Sequence, residues 1–194
     1  MKIGIYSGSF NPVHIGHIAL ADYIIGQGIV DEIWMIRSPQ NPLKVSSSLL
    51  SDEHRAKMLE IAIKDHEGLR MSTIEDTLPR PNYTINTLIA LKEQNPFDDF
   101  YLIIGADNWL IFDKWRDWEK ILSDFHLIVY PRPGYDMPEI DTVKYPTVQY
   151  VDAPQYDISS TEIRKLISDN QSVEDLISPE VDKYIKENNL YGII

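Results

Sequence analysis

The chain has 194 residues, with 30 acidic and 18 basic side chains, a formal net charge of -12 and no cysteine. This length supports one sizeable hydrophobic core, so we predict a single domain over residues 1–194. The absence of cysteine excludes disulfides, thiolate metal sites and thiol nucleophiles. The acidic balance argues against nucleic acid or an anionic membrane as a partner, because such partners select basic patches.

The N-terminal residues enter a strand pattern at once, which leaves no room for a leader segment. No apolar run approaches the roughly 20 residues that a membrane span needs. We therefore expect a cytoplasmic protein with no membrane partner. The sequence does not fix the oligomeric state, and a homo-oligomer is compatible with it.

Apolar, β-rich runs alternate with segments of helical period along the chain. The predicted strands lie near residues 3–6, 33–36, 70–72, 100–104, 127–130 and 148–151, and the predicted helices near 15–25, 52–65 and 84–94. Two or three further helices follow, and Ser51 and Ser178 are candidate N-caps. The predicted strands near 100–104 and 127–130 are apolar throughout, as expected for strands buried on both faces. The pattern predicts an α/β fold with a Rossmann-like open, mostly parallel sheet, helices on both faces and ligands beyond the carboxyl ends of the strands.

The first predicted strand leads directly into the decapeptide Gly8-Ser9-Phe10-Asn11-Pro12-Val13-His14-Ile15-Gly16-His17. His14 and His17 are three residues apart at the start of a helical pattern, so both imidazoles should point the same way. Backbone N–H groups without intrahelical partners lie there, and together with the helix dipole they bind polyanions. The segment therefore predicts a phosphate site, and its structural alternative is a plain strand–turn–helix junction.

Other functions fit the spacing of this decapeptide less well. Histidine is the commonest metal ligand, but a zinc protease needs H-E-x-x-H, and nothing near His14 and His17 supplies a third ligand. The Gly-Lys-[Ser/Thr] of a Walker loop and the G-x-G-x-x-G of a dinucleotide fold are also absent. We predict no protein-bound metal.

A second segment with polar signals is Ile158-Ser159-Ser160-Thr161-Glu162-Ile163-Arg164. Its simplest interpretation is a capping box of Ser159 and Glu162 at the start of an amphipathic helix. That interpretation leaves Thr161 and Arg164 without a role. They lie three residues apart, away from the apolar stripe, where a hydroxyl, free N–H groups and a guanidinium would form a second anion site.

A third group of residues lies around the middle of the chain. It consists of residues 81–87, residues 105–108 and Trp115-Arg116-Asp117-Trp118. Asp107 follows an apolar strand, where a carboxylate can contact a ribose, act as a general base or bind magnesium. For Trp115 and Trp118 the alternative to a ligand contact is core packing. Arg132, after the next strand, can face phosphate or solvent.

Together these segments resemble a known family. The first matches G-x-F-x-P-x-H-x-G-H, the signature of the nucleotidylyltransferase superfamily, and the second resembles its I-S-S-T-x-x-R motif. The third group resembles the Y-T-x-x-T, G-x-D and W-x-x-W segments of bacterial nicotinate-nucleotide adenylyltransferases. The resemblance implies transfer of the adenylyl group of ATP to nicotinate mononucleotide, with Mg²⁺ carried by ATP. Such transfers depend on alignment and charge stabilisation, and no covalent enzyme intermediate is expected.

The resemblance also implies roles for individual residues. The implied catalytic residues are His14, His17 and Arg164. The implied ATP-binding residues are Gly8, Ser9, Phe10, His14, His17, Gly105, Asp107, Ile158, Ser159, Thr161 and Arg164. The implied nicotinate mononucleotide-binding residues are Ser9, Lys44, Thr84, Asp107, Trp115 and Arg116. Thr84 would receive the pyridine carboxylate, Trp115 would stack on the ring and Asp107 would contact ribose. The family often has P-P-H-K where this chain has Asn41-Pro42-Leu43-Lys44, so Lys44 can equally be a surface lysine.

Two alternative functions remain at the level of sequence. A phosphopantetheine adenylyltransferase shares both phosphate motifs, but such chains tend to be shorter and lack the paired tryptophan segment. A regulatory module could bind nucleotide without turnover, although it has less need for the complete set of His14, His17 and Arg164. Preference for the acid over the amide mononucleotide rests on the resemblance alone.

Overall fold

Six strands in the described part of the chain form one parallel sheet. The computed structural model describes residues 1–39, 49–136 and 140–192. The strands are Lys2–Gly8 (β1), Glu32–Arg37 (β2), Leu69–Ser72 (β3), Asp99–Gly105 (β4), His126–Tyr130 (β5) and Val148–Tyr150 (β6). Their order across the sheet is β3-β2-β1-β4-β5-β6, and all five neighbouring pairs are parallel. The predicted strands and the parallel sheet are confirmed.

Seven α-helices connect or follow these strands within the described residues. They are Ile15–Gly26 (α1), Asp52–Ile63 (α2), Thr84–Gln94 (α3), Ala106–Trp109 (α4), Trp118–Asp124 (α5), Ser160–Ser168 (α6) and Pro179–Glu187 (α7), with 3₁₀ turns at Ile74–Thr77, Phe112–Lys114 and Leu190–Gly192. Both predicted N-caps are confirmed, because the hydroxyls of Ser51 and Ser178 accept the backbone N–H groups of His54 and Val181 at 3.3 Å. The sequence missed α4 and α5, which are too short to show a helical period.

Helices cover both faces of the sheet, as predicted. Alternate residues of each strand point to opposite faces, so the buried side chains fall into two clusters. One packs α1, α2, α6 and α7 against one face, with Leu20, Met58, Ile163 and Val181 in its interior. The other packs α3 and α5 against the opposite face around Ile5, Leu88, Leu102 and Ile121.

The strand order places a switch point in the middle of the sheet. From β1 the chain moves outward through β2 to β3, then crosses to the other side of β1 and continues through β4, β5 and β6. In open α/β sheets, ligands bind beyond the carboxyl ends of the strands at such a point. The ends of β1 and β4 are Gly8 and Gly105, and both belong to predicted site segments.

Within the described ranges, no helix is both long and apolar enough to cross a membrane. One sheet carries all six strands, and a single domain over the full 194 residues stays a prediction.

Candidate active site

The two histidines of the first motif stack against each other at the start of α1. Their ring centroids are 3.6 Å apart and the planes make an angle of 30°. His14 is the N-cap residue, and its backbone N–H donates to Nδ1 of His17 at 3.2 Å. A neutral His17 ring therefore carries its hydrogen on Nε2. The predicted common direction of the two imidazoles is confirmed.

Close packing explains the glycine between the histidines. A Cβ on Gly16 would lie 3.2 Å from Nδ1 of His14 and 3.2 Å from Cβ of Tyr156, both tighter than ordinary contacts. Phe10 supports the pair from the core, since its buried ring meets the His17 ring edge to face at 5.1 Å. Gly16 is thus required because the His14 ring and the Tyr156 side chain both approach its backbone.

His14 is buried, with only 7% of its surface exposed. Burial first, and then the positive charge of Arg132, lowers the pKa of His14 to about 4. Its Nδ1 has no hydrogen-bond partner among the residues that the structure describes. At neutral pH the His14 ring is therefore uncharged and contributes hydrogen-bonding capacity rather than charge.

The second motif meets the first although the two are far apart in the chain. The Arg164 guanidinium donates from Nη1 to the carbonyl oxygen of Asn11 at 2.8 Å and from Nη2 to Oγ1 of Thr161 at 3.2 Å. The Ser160 hydroxyl donates to the carbonyl oxygen of Pro12 at 2.8 Å. The N-terminal turn of α6 is therefore fixed on the turn that carries the histidines.

The predicted start of α6 at Ser159 is confirmed by the N-cap hydrogen bond of that residue. The Ser159 hydroxyl accepts the backbone N–H of Glu162 at 3.1 Å. Ile163 and Ile167 are buried on the core side, whereas Thr161 is exposed. This arrangement leaves the Thr161 hydroxyl and the Arg164 guanidinium together on the side away from the core.

A cleft joins the histidines to the ends of β1 and β5. Its wall is formed by side chains from the ends of β1 and β5, from both motifs and from the segment around residue 156, namely Tyr6, His14, His17, Tyr130, Arg132, Tyr156 and Ile158. Burial raises the pKa of the Tyr6 and Tyr130 hydroxyls, so both stay neutral. The cleft therefore has aromatic walls and a cationic side at Arg132.

Asp107 and Arg132 form an ion pair at this edge of the sheet, with 3.4 Å between Oδ1 of Asp107 and Nε of Arg132. Gly105 permits their approach, because a Cβ on it would lie 2.7 Å from Cγ of Arg132 and closer still to the Asp107 carboxylate. The sequence left the direction of Arg132 open, and the structure turns it into the cleft.

Two of the predicted acceptor residues, Thr84 and Arg116, lie at the start of α3. Thr84 is its first residue, and the preceding Tyr83 carries the Arg116 guanidinium over its ring at 4.8 Å from the centroid. Trp115 packs on Phe112 with 5.3 Å between ring centroids. Both Trp115 and Trp118 are half-buried, so the choice between ligand stacking and core packing stays open for each. Lys44 lies outside the described residues.

The sequence missed Asn11 and Tyr6 as parts of the site. Asn11 is buried, and its Oδ1 accepts the Tyr191 hydroxyl at 2.9 Å, a contact between residues 180 positions apart. Nothing in the local sequence signals that contact. Tyr6 could have been found, because it lies two residues before the carboxyl end of a strand at which ligands are expected.

Comparisons with known proteins agree with this geometry. A family model described as cytidylyltransferase-like matches residues 5–166. A probable nicotinate-nucleotide adenylyltransferase of Bacteroides thetaiotaomicron is 44% identical over 96% of this chain and 92% of that protein. One of Flavobacterium johnsoniae is 41% identical over 98% of this chain and 99% of that protein.

Solved structures give the same result. The Plasmodium falciparum nicotinic acid mononucleotide adenylyltransferase, complexed with NaAD or with APC, superposes with TM-scores of 0.83 and 0.84 at 25% identity. Each comparison covers 100% of this chain and 98% of that one. The chain belongs to the cytidylyltransferase-like family. Within that family it is similar over nearly its whole length to the nicotinate-nucleotide adenylyltransferases, which confirms the resemblance inferred from the motifs.

The buried His14 should make the stability of the fold depend on pH. The unfolded chain binds a proton at His14 below about pH 6.5, whereas in the folded chain the pKa is about 4. Between these values the unfolded state binds more protons, so the free energy of unfolding falls as the pH is lowered, by ~3 kcal/mol from this residue. In urea unfolding, His14→Gln should therefore lose less stability than wild type between pH 6.5 and 4.

His126 provides the control, because its side chain is exposed at the start of β5. The His126→Gln variant should retain the wild-type dependence on pH. If His14→Gln lost as much stability as the wild type over this range, His14 would not be a buried neutral histidine.

Proposed function

We propose that this protein transfers the adenylyl group of ATP to nicotinate mononucleotide, giving nicotinate adenine dinucleotide and pyrophosphate in NAD biosynthesis. The observation that carries this proposal is the contact of Arg164 with Asn11, since it brings two phosphate motifs from opposite ends of the chain to one place. The nicotinate-nucleotide adenylyltransferases to which the chain is similar support this choice of acceptor.

The chemistry requires alignment of phosphates rather than a side-chain nucleophile. The phosphate of the mononucleotide would attack the α-phosphorus of ATP, and pyrophosphate would leave, so the acceptor itself supplies the nucleophile. The Nε2 hydrogen of a neutral His17 can donate to the α-phosphate. Arg164 and the exposed Thr161 hydroxyl beside it would bind the leaving β- and γ-phosphates. Charge that develops on these oxygens would be stabilised by donors already in place.

The remaining predicted residues would bind the ends of the two substrates. Gly8, Ser9, Phe10, Gly105, Ile158 and Ser159 would lie around ATP. Thr84, Trp115 and Arg116 would bind the pyridine side of the mononucleotide, and Asp107, two residues after the end of β4, would contact ribose. The Arg116 guanidinium on the Tyr83 ring and the N-terminus of α3 provide positive charge and N–H donors for the carboxylate of the nicotinate ring.

Magnesium would enter with ATP. Within the described ranges, no group of three His, Asp or Glu side chains could hold a metal ion. Mg²⁺ carried by a nucleotide does not need such a group, because it takes most of its ligands from phosphate and water and needs only one or two carboxylates. Asp107, which pairs with Arg132 beside the cleft, is a carboxylate that could serve, and the bound ion would neutralise triphosphate charge. Cytoplasmic residence, the absence of nucleic-acid partners and the oligomeric state stay predictions.

The test is pyrophosphate release from ATP and Mg²⁺ with each acceptor in turn. We expect release with nicotinate mononucleotide, and slower release with nicotinamide mononucleotide, which lacks the carboxylate charge. Release only with phosphopantetheine would replace the proposed function by the first alternative. Binding of ATP without release on any acceptor would favour a regulatory module.

His17 should act mainly on the transition state. Replacement by alanine removes the donor to the α-phosphate, so kcat should fall by ~100-fold or more with only a modest change in KM for ATP. Steady-state kinetics at saturating acceptor would measure both values. A large rise in KM at unchanged kcat would instead assign His17 to ground-state binding.

Trp115 should act on the mononucleotide. Without its ring, Trp115→Ala should raise KM for nicotinate mononucleotide ~10-fold more than KM for ATP. Trp118→Ala is the matched control, because Trp118 is also half-buried against the same core cluster and should change the two KM values equally. A selective rise with Trp118→Ala and none with Trp115→Ala would reverse the assignment.

A further inference from the structure

Arg55 is an arginine that the site described above does not use, and it lies in the interior of the protein. It belongs to the first turns of α2, and its exposed fraction is 0%. The sequence presents it as an ordinary residue of an amphipathic helix. Burying a guanidinium is unfavourable unless its charge and its N–H groups are satisfied, so its partners indicate why it is there.

The partners of Arg55 are backbone carbonyl groups from three separate segments. Nη1 donates to the carbonyl oxygen of Ser9 at 2.6 Å and to that of Ser38 at 2.8 Å. Nε donates to the carbonyl oxygen of Leu50 at 3.1 Å, and Nη2 lies 3.5 Å from that of Pro39. One planar group thus joins the turn after β1, the turn after β2 and the residues before α2. Lysine could not do this, because its donors share a single nitrogen.

A carboxylate neutralises the charge of this cluster. Asp52 pairs with Nη2 of Arg55 and also with Nη1 of Arg37, the latter at 2.9 Å. Arg37, which is 2% exposed, pairs with Asp76 as well. The contacts of Arg37 in the described residues are with carboxylates, whereas Arg55 is bonded mainly to backbone. The two buried arginines therefore share an environment and differ in what they fix.

The Ser9 carbonyl connects Arg55 to the histidines. It belongs to the peptide that precedes Phe10, and Phe10 has φ of 43°, in the left-handed region that a bulky side chain rarely adopts. The Phe10 ring in turn packs on His17 at 5.1 Å. A fixed Ser9 carbonyl thus sets the peptide plane at an unfavourable backbone position whose side chain supports a proposed catalytic ring.

We propose that Arg55 is a positioning residue for adenylyl transfer, which holds the Ser9–Phe10 turn and, through the Phe10 ring, the orientation of His17. This inference rests on the proposed function, and it assigns Arg55 no contact with substrate. Loss of the bond to Ser9 should misalign the phosphates in the transition state more than it weakens the binding of ATP.

The experiment compares two buried arginines. In Arg55→Lys one ammonium cannot reach all three segments, so kcat should fall ~100-fold, with KM for ATP within about threefold of wild type. Arg37→Lys is the matched control, since it also replaces a fully buried guanidinium paired with Asp52, but no bond to the Ser9 carbonyl is lost. Kinetics and thermal unfolding would be measured for both, well below the unfolding temperature of either.

The outcomes separate positioning from stability. A drop in kcat confined to Arg55→Lys, at a loss of thermal stability similar to that of Arg37→Lys, supports the proposal. Equal kcat values for the two variants overturn it. An inactive wild-type protein would refute the proposed function instead.

A second pair of variants keeps the test decisive if Arg55→Lys does not fold. Asp52 and Asp76 are equally exposed at 39% and 40%, and both pair with Arg37, but Asp52 alone also pairs with Arg55 among the described contacts. Asp52→Asn should lower kcat about fivefold to tenfold and Asp76→Asn less than twofold, with KM for ATP unchanged in both. Identical kcat values for these two variants would overturn the proposal.

Discussion

The central position of β1 in the parallel sheet is the constraint on which the site depends. Because β1 pairs with β2 on one side and β4 on the other, its carboxyl end lies at the switch point. The turn that follows is therefore surrounded by the ends of neighbouring strands and by the start of α1. Packing on both faces of the sheet holds this end in place, and the position of the β1 end determines where the histidines lie.

The site gathers positive charge for a polyanionic ligand on a chain that is acidic overall. A chain with a net charge of -12 repels a triphosphate at long range. Arginines concentrate the opposite charge at one edge of the sheet, with Arg132 in the cleft and Arg164 on the Asn11 carbonyl. Asp107 pairs with Arg132 and so keeps this charge from being uncompensated when no nucleotide is bound. His14 adds hydrogen-bonding capacity without adding charge, since burial keeps it neutral at physiological pH.

Much of the fold could be read from the chain because its signals are local. The alternation of apolar strands and helices, the caps at Ser51, Ser159 and Ser178, and the apolar character of β4 and β5 are patterns within a few residues. Elements without such a pattern escaped. The four-residue α4 and the seven-residue α5 are too short for a helical period to show in the sequence.

The sequence by itself determined the two phosphate motifs, the parallel α/β class and the ends of the strands at which ligands collect, because each depends on residue type and short spacing. Only the tertiary structure decided that Ser160 donates to the Pro12 carbonyl across 148 positions of the chain, that Arg55 is buried against the Ser9 carbonyl and that the pKa of His14 is lowered. These properties depend on desolvation and on partners brought together by the sheet. Desolvation and these partners cannot be recognised from a local sequence pattern, because both arise only when distant segments come together and exclude water from the same place.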